Sequence, residues 1–119
     1  MIGNYKETFN IVGTNTGAIV ASGLPFIIED RKEALINNNL PHNTIVMANK
    51  NINCTLYIFL NHWEDLTKPD YVLFPSQQMT VPLEDGQHFE QVAVYNTHAV
   101  TDVAIAELKY KISTLKRFD

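Results

Sequence analysis

Cysteine and basic residues are scarce in this sequence. Cys54 is the only cysteine, so no disulfide can form within the chain. Its position in the apolar run 54–60 predicts a small core side chain rather than a nucleophile. Nine Lys and Arg residues face thirteen Asp and Glu residues, for a net charge of −4. The densest basic cluster lies near the C-terminus and is typical of a solvated tail, so we expect no nucleic-acid partner.

Catalytic motifs are also missing. The five glycines are scattered and form no phosphate-binding loop. There is no Gly-x-Ser-x-Gly, Cys-x-x-Cys or His-Glu-x-x-His segment. The first residues lack the apolar region of a signal peptide, and no stretch approaches the ~20 apolar residues of a membrane span. We therefore expect a protein that is not an enzyme, needs no cofactor and has no membrane partner.

Charged residues are few, at 18% of the chain, where about a quarter is usual. Asn, Thr and Gln replace them, and Asn alone occurs twelve times. A neutral polar surface suits a protein that packs against neighbouring subunits. The length of 119 residues fits one domain and is sufficient for a core that needs no metal or disulfide.

From residue 43 onward the sequence has a β pattern. Short apolar or alternating runs are separated by turns every 8–12 residues, which is typical of a β-sandwich or small barrel. Asp85-Gly86 favours a tight hairpin, and Pro82 favours an edge strand. The run 54–60 is apolar on both faces, as expected of a central strand. Strands are predicted over 44–48, 54–60, 71–74, 79–83 and 91–95.

The last apolar segment, 100–112, changes phase along its length. Val103 and Ile105 share one face, and Leu108, Tyr110 and Ile112 share the other. A strand cannot bury both sets on one side, so we expect a bulge near Ala106-Glu107. A helix over 103–115 is the alternative.

Residues 1–42 are less regular. Strands are predicted over 5–12 and 18–21, and Pro25 limits the run 24–28 to an edge or a strand start. Residues 29–36 could form a short helix or a charged loop. We thus predict an all-β fold, a small β-sandwich of jelly-roll or Ig-like type with an extended N-terminal arm. Residues 1–42 would form the arm and irregular segment, and residues 43–119 the compact β domain.

Two His-x-Glu pairs could bind a metal. His62 and Glu64 form one pair, and His88 and Glu90 form the other. Side chains two apart on a strand share a face, so each pair could offer two ligands, as in a cupin-like site. Since His62 lies in a polar loop and His88 follows a turn, exposed polar side chains are the favoured interpretation, and no metal is predicted.

Four aromatic residues raise a second alternative. Trp63, Tyr71, Phe74 and Tyr95 could stack on sugar rings if they are exposed, as in a carbohydrate-binding module. They could equally form the core, which their places in or beside predicted strands favour. Exposed aromatics also commonly anchor protein interfaces.

The segment 43–112 resembles a pattern found in small virion proteins of tailed bacteriophages. A strand ends in an Asn-containing turn and leads into a Thr-Leu-Tyr-Ile strand, a Pro turn and an alternating strand. A Gly turn, a strand similar to apolar-Tyr-Ala-apolar, a small-residue turn and a long final strand follow. The matching pieces are 48–51, 55–58, 73–78, 79–83, 85–86, 92–95 and 102–108. The loop 61–70 is longer than in the pattern, the turn 75–78 lacks its glycine, and residues 1–42 are not covered.

This resemblance implies a virion structural protein: a capsid decoration or head-fibre component or, alternatively, a tail or baseplate component. Its partners would be major capsid or tail subunits and further copies of itself in a symmetric oligomer. An arm or an edge strand could add to a neighbouring sheet. The carbohydrate-binding module, used in host adsorption, stays open as an alternative. The expected interface residues are Tyr5, Phe9, Ile11, Pro25, Phe26, Trp63 and Pro82.

Overall fold

The computed structural model describes residues 5–30, 43–81, 89 and 91–117, and these residues form eight β-strands and no helix. The described residues therefore include no helix that could cross a membrane. The strands are β1 (Tyr5–Thr14), β2 (Phe26–Asp30), β3 (Thr44–Asn49), β4 (Leu56–Leu60), β5 (Tyr71–Leu73), β6 (Gln78–Val81), β7 (Gln91–Asn96) and β8 (Leu108–Arg117).

The strands form two antiparallel sheets of four. The first sheet has the order β1-β8-β3-β6, and the second has the order β2-β7-β4-β5. Strand β1 pairs with β8, β2 with β7, β3 with β6 and β4 with β5, so each pair is nested in sequence inside the one before it. This nested pairing in two sheets is the connectivity of a jelly roll. The predicted all-β sandwich is confirmed, and of the two predicted types it is the jelly roll.

The core lies between the two sheets and follows the alternation of the strands. On β3, residues 45, 47 and 49 are buried, and the residues between them are partly exposed. Ile45 lies opposite both Val81 of β6 and Ile112 of β8, so one apolar row crosses three strands of the first sheet. Strand β4 lies between β5 and β7, and its residues 58–60 are buried on both faces, as the apolar run predicted.

The C-terminal strand begins later than the sequence predicted. A turn over residues 104–107 precedes β8, and Ala106 there has φ 68°. The expected bulge near Ala106-Glu107 and the alternative helix over 103–115 are therefore both wrong. The apolar phase changes because two segments meet at this turn: Val103 forms an isolated bridge with Ile19, and β8 begins at Leu108.

The N-terminal segment contributes a strand to each sheet. Strand β1 pairs with β8 over most of its length, and β2 pairs with β7. Both are edge strands of the described sheets, and β2 begins directly after Pro25, as that proline indicated. Within the described residues, strands on both sides of residue 42 therefore share the same two sheets. The predicted strand 18–21 is reduced to the bridge at Ile19.

Several predictions fall outside the described residues. They concern most of the candidate helix 29–36, the Asp85-Gly86 hairpin, and the residues Pro82, His88 and Glu90. The first two residues of the candidate helix, Glu29 and Asp30, lie in β2.

Candidate functional site

Four connections between the sheets meet at one end of the sandwich. Strands β1 and β3 end there beside the first residue of β8, since Thr14 lies opposite Lys109 and Asn49 opposite Leu108. In the second sheet, β4 begins there between the last residues of β5 and β7. We call this part of the molecule the four-loop end, and it consists of residues 15–25, 50–55, 74–77 and 97–107.

Buried asparagine side chains hold the four-loop end together. Asn15 is fully buried, and both N–H bonds of its amide are used, to the carbonyls of Gly17 and Ala104 at 2.9 Å each. Its Oδ1 accepts the backbone N–H of Leu108 at 2.9 Å. One side chain thus joins the first loop, the last loop and the start of β8. Buried polar groups need such complete pairing because an unpaired one is costly.

Asn49 and Asn51 play the same part for the middle loops. Asn49 donates to the carbonyls of Cys54, at 2.8 Å, and Phe74, at 3.3 Å. The Oδ1 of Asn51 accepts the backbone N–H groups of Asn53 and Cys54, both at 2.8 Å. Its amide nitrogen donates to Glu107 Oε1 at 3.0 Å. These bonds connect the second, third and fourth loops.

Asn96 and His98 shape the last of the four loops. Asn96 donates to the carbonyls of Ile19, at 3.0 Å, and Thr101, at 2.8 Å, and its Oδ1 accepts the His98 N–H at 3.0 Å. The Nδ1 of His98 accepts the backbone N–H groups of Val100, at 3.1 Å, and Thr101, at 2.9 Å. The imidazole Nδ1 therefore stabilises a turn of its own loop.

Large apolar side chains project from these fixed loops. Six of the ten exposed large hydrophobic residues of the described chain lie at the four-loop end. They come from all four loops, and Leu24 and Val100 are 85% and 81% exposed. The six are Val20, Leu24, Ile52, Phe74, Val100 and Ile105. A concentration of exposed apolar side chains marks an interaction surface more often than isolated ones do.

The same end carries little charge. The four loops contain one cation, Lys50, and two acids, Asp102 and Glu107. Asp102 accepts the backbone N–H of Ala21 at 2.9 Å. Glu107 accepts the N–H of Ala104 at 2.7 Å in addition to the Asn51 amide. Both carboxylates thus hold the loops in place, and the end presents mainly apolar and neutral groups.

Cys54 belongs to this framework and is not a reactive group. The residue is fully buried, and its Sγ lies 3.2 Å from the Thr101 carbonyl oxygen. Burial raises the pKa of the thiol. A raised pKa disfavours the thiolate, which is the nucleophilic form. The prediction of a small core side chain is confirmed.

The structure separates the predicted interface residues. Ile11 lies opposite Ile112 in the first sheet, and Phe26 packs against the core. Pro25 ends the first loop of the four-loop end, and Trp63 lies at the other end of the sandwich with 36% of its surface exposed. Tyr5 and Phe9 lie in β1, but their side chains, like Pro82, are outside the described part.

The candidate metal ligands that the structure describes are engaged with protein groups. His62 Nε2 lies 3.1 Å from Asp70 Oδ2, and its ring contacts Phe59 edge-on at 5.9 Å between centroids. Glu64 accepts the Trp63 N–H at 3.2 Å. Within the described ranges, no three His, Cys, Asp or Glu side chains come together as a metal site.

The four candidate sugar-stacking aromatics do not form one platform. Tyr71 packs against the core, whereas Phe74 is 52% exposed at the four-loop end and Trp63 lies in the loop 61–70 at the opposite end. Tyr95 lies opposite Tyr57, and their rings are tilted by 49° at 6.4 Å.

Sequence reasoning missed the buried asparagines. It assigned the twelve asparagines to a neutral surface, but Asn15, Asn49, Asn51 and Asn96 are at most 5% exposed. A signal was available, since Asn49 and Asn96 directly follow predicted strands, and Asn15 and Asn51 lie within three residues of one. An asparagine there can bond to loop backbone groups, as in an Asx turn.

Comparison with known proteins gives no further guide: no family model, no curated protein and no solved structure matches this chain.

Proposed function

We propose that this protein is a non-enzymatic structural component of a phage virion, an accessory capsid protein of the decoration or head-fibre type. It binds other virion subunits through protein–protein contacts made by the four-loop end. The observation that carries the proposal is the group of six exposed apolar side chains on loops that buried asparagines hold in place.

The rigidity of these loops favours binding to a protein surface. Ordering a flexible loop costs free energy on association, and loops fixed in advance avoid most of that cost. Burying one Leu or Val side chain contributes about 1.5–3 kcal/mol. Few such contacts therefore give a stable complex when the loops need no rearrangement. The scarcity of charge at this end also agrees with an interface centre, where charged residues are depleted.

The jelly-roll fold is compatible with this role but does not distinguish it from other functions. Jelly rolls occur in viral capsid and lectin domains and in cupins, so function must be argued from the surface. The spacing of residues 43–112, which resembles that of small virion proteins, supports a virion component among these classes.

The direct test of the proposed function is the protein composition of purified virus particles. Purified virions of the phage that encodes this chain are expected to contain it at a fixed copy number relative to the major capsid protein, by quantitative mass spectrometry. Absence from the particles would contradict the proposal.

A carbohydrate-binding function for host adsorption is the second candidate. Tyr57, Val72 and Tyr95 lie in one cross-strand row on the outer face of the second sheet, where Val72 is 40% exposed. Aromatic rings on such a face can stack on sugars. Binding to host glycans that is lost in Tyr57→Ala and Tyr95→Ala, and kept in Leu24→Ser, would favour this function over docking by the four-loop end.

A further inference from the structure

The outer face of the first sheet carries a depression whose floor combines lysine and apolar side chains. Its volume is about 410 Å³. The register places Val12 and Val46 on either side of Lys111, and Thr14 and Ala48 on either side of Lys109. The face includes the side chains of Val12, Val46, Ala48, Lys50, Lys109 and Lys111. We call this surface the basic face.

The composition of the basic face defines what it can bind. Val12 is 69% exposed, so the floor offers apolar area that a partner could remove from water. Lys111 has a partner already, because its Nζ lies 3.1 Å from Glu7 Oε2, and this contact holds the pKa of the Glu7 carboxyl below its usual value. Three lysines and one glutamate leave a local charge of 3 − 1 = +2 on a chain whose net charge is −4. A ligand with an apolar body and carboxylates fits this surface better than a bare phosphate chain.

The chain itself contains a segment of that chemistry. The loop 61–70 joins β4 to β5 and presents Trp63 beside Glu64 and Asp65. It holds three acids, Glu64, Asp65 and Asp70, and one cation, Lys68, for a local charge of 1 − 3 = −2 with His62 neutral. The indole offers a flat apolar group for the floor, and the carboxylates match the lysines.

The loop 61–70 is ordered by its own hydrogen bonds. Asp70 Oδ2 accepts the backbone N–H of Leu60 at 2.7 Å, and the Asp70 N–H donates to the Ile58 carbonyl at 3.0 Å. Asp65 Oδ1 accepts the N–H of Thr67 at 3.0 Å and its hydroxyl at 2.5 Å. A loop shaped in this way can insert into a partner with little ordering cost.

Within one chain the loop and the basic face cannot meet. The loop belongs to the second sheet, whereas the basic face is the outer side of the first sheet, and the core lies between them. Resting on the proposed assembly function, we propose that the loop 61–70 of one copy docks on the basic face of a second copy. The two surfaces differ, so the contact is heterologous. Repetition of such a contact closes into a ring or extends as a filament.

Charge reversal on each surface tests the contact. Lys109→Glu changes the basic face, and Glu64→Lys changes the loop, whose Asp65 and Asp70 bonds stay intact. By light scattering and sedimentation, we expect the wild-type chain to self-associate and each variant alone to do so on the order of 100-fold more weakly, because each reversal cancels the local net charge of the surface that it changes. An equimolar mixture of the two variants is expected to recover association, since the unaltered loop of Lys109→Glu can dock on the unaltered basic face of Glu64→Lys.

Matched controls separate charge from folding. Lys109→Arg keeps the positive charge and should keep association, and circular dichroism should show all variants folded. Raising the salt concentration from about 0.05 M to about 0.5 M should weaken the wild-type contact. A wild-type chain that stays monomeric, or an oligomer that neither reversal weakens, would overturn the inference. The docking function of the four-loop end would survive either result, because it is tested by binding to particles with Leu24 and Val100 variants.

Discussion

Asparagine is the residue that organises the four-loop end of this molecule. Its amide offers two donors and an acceptor on a short, stiff side chain. Asn15 uses three of these bonds on backbone groups of two loops and of β8. Leucine of similar size could fill the space but would leave those backbone groups unpaired. A buried asparagine near a strand end thus supplies hydrogen bonds to loop backbone groups that have no neighbouring strand to pair with.

Removing the Asn15 amide should destabilise the fold. Asn15→Ala leaves the carbonyls of Gly17 and Ala104 and the N–H of Leu108 without this partner. We expect the free energy of unfolding to fall by about 2–4 kcal/mol in urea titrations. The matched control is Asn53→Ala, an exposed position in the second loop, where a change within about 0.5 kcal/mol is expected. Equal effects of the two substitutions would refute the role given to Asn15.

The thiol of Cys54 provides a probe of the same framework. It is fully buried, and burial raises its pKa, so a thiol reagent should react with the folded chain only through opening of the four-loop end. In denaturant the single thiol should react at once. In Asn15→Ala the rate at which the folded chain reacts with the thiol reagent should rise, as measured by the absorbance of the leaving group that the reaction releases. Rapid labelling of the folded wild-type chain would show that the loops are not held as described.

At the scale of elements, the turn before β8 decides where the last strand begins. β8 is flanked by β1 and β3, so its register fixes the first sheet. Ala106 takes a positive φ of 68°. The alternation of buried and exposed side chains in the segment around Val103 therefore ends at this turn, and a new alternation begins at Leu108. Sequence periodicity detected the change of phase but not its cause. An alanine carries no turn signal, unlike the glycine or asparagine that usually occupies this conformation.

Glycine at the two alanines of this turn should have opposite effects. At Ala106, glycine removes a left-handed strain of about 1–2 kcal/mol and adds a smaller unfolded-state entropy cost. Ala104 does not have a positive φ, so Ala104→Gly brings only the unfolded-state entropy cost. We expect Ala106→Gly to be more stable than Ala104→Gly by about 1 kcal/mol or more in thermal unfolding. The reverse order would contradict the assigned turn.

The strands themselves were largely predictable from sequence. Alternation on β3 and the two-sided apolar run of β4 reflect burial that the sequence must encode, and both were located within two residues. The candidate metal pairs and the alternative aromatic platform depended on which loops converge. Loop convergence is set by strand order, and local spacing does not specify strand order. The spacing of residues in the sequence therefore does not predict that these four loops lie at one end of the sandwich. The residues that form this end, such as the exposed Leu24 and Val100 and the asparagines, can each be identified in the sequence.

For the whole molecule, the jelly roll separates three surfaces. The four-loop end is apolar and is held by buried asparagine hydrogen bonds, the outer face of the first sheet is basic, and the loop 61–70 at the opposite end is acidic with an exposed indole. This separation suits a protein that attaches to a larger assembly by one end. The remaining surfaces are then left to face further copies of the chain.

The most direct measurement is binding of the isolated chain to virus particles that lack it. Wild-type chain and the double variant Leu24→Ser/Val100→Ser would be titrated onto such particles, with bound chain counted after sedimentation. The account predicts saturable binding of the wild type at a fixed copy number. It also predicts binding on the order of 100-fold weaker for the folded variant, because two exposed apolar side chains lose their contact. Wild-type affinity in the variant, or no saturable binding of the wild type, would contradict the claim that this protein docks on a virion through its four-loop end.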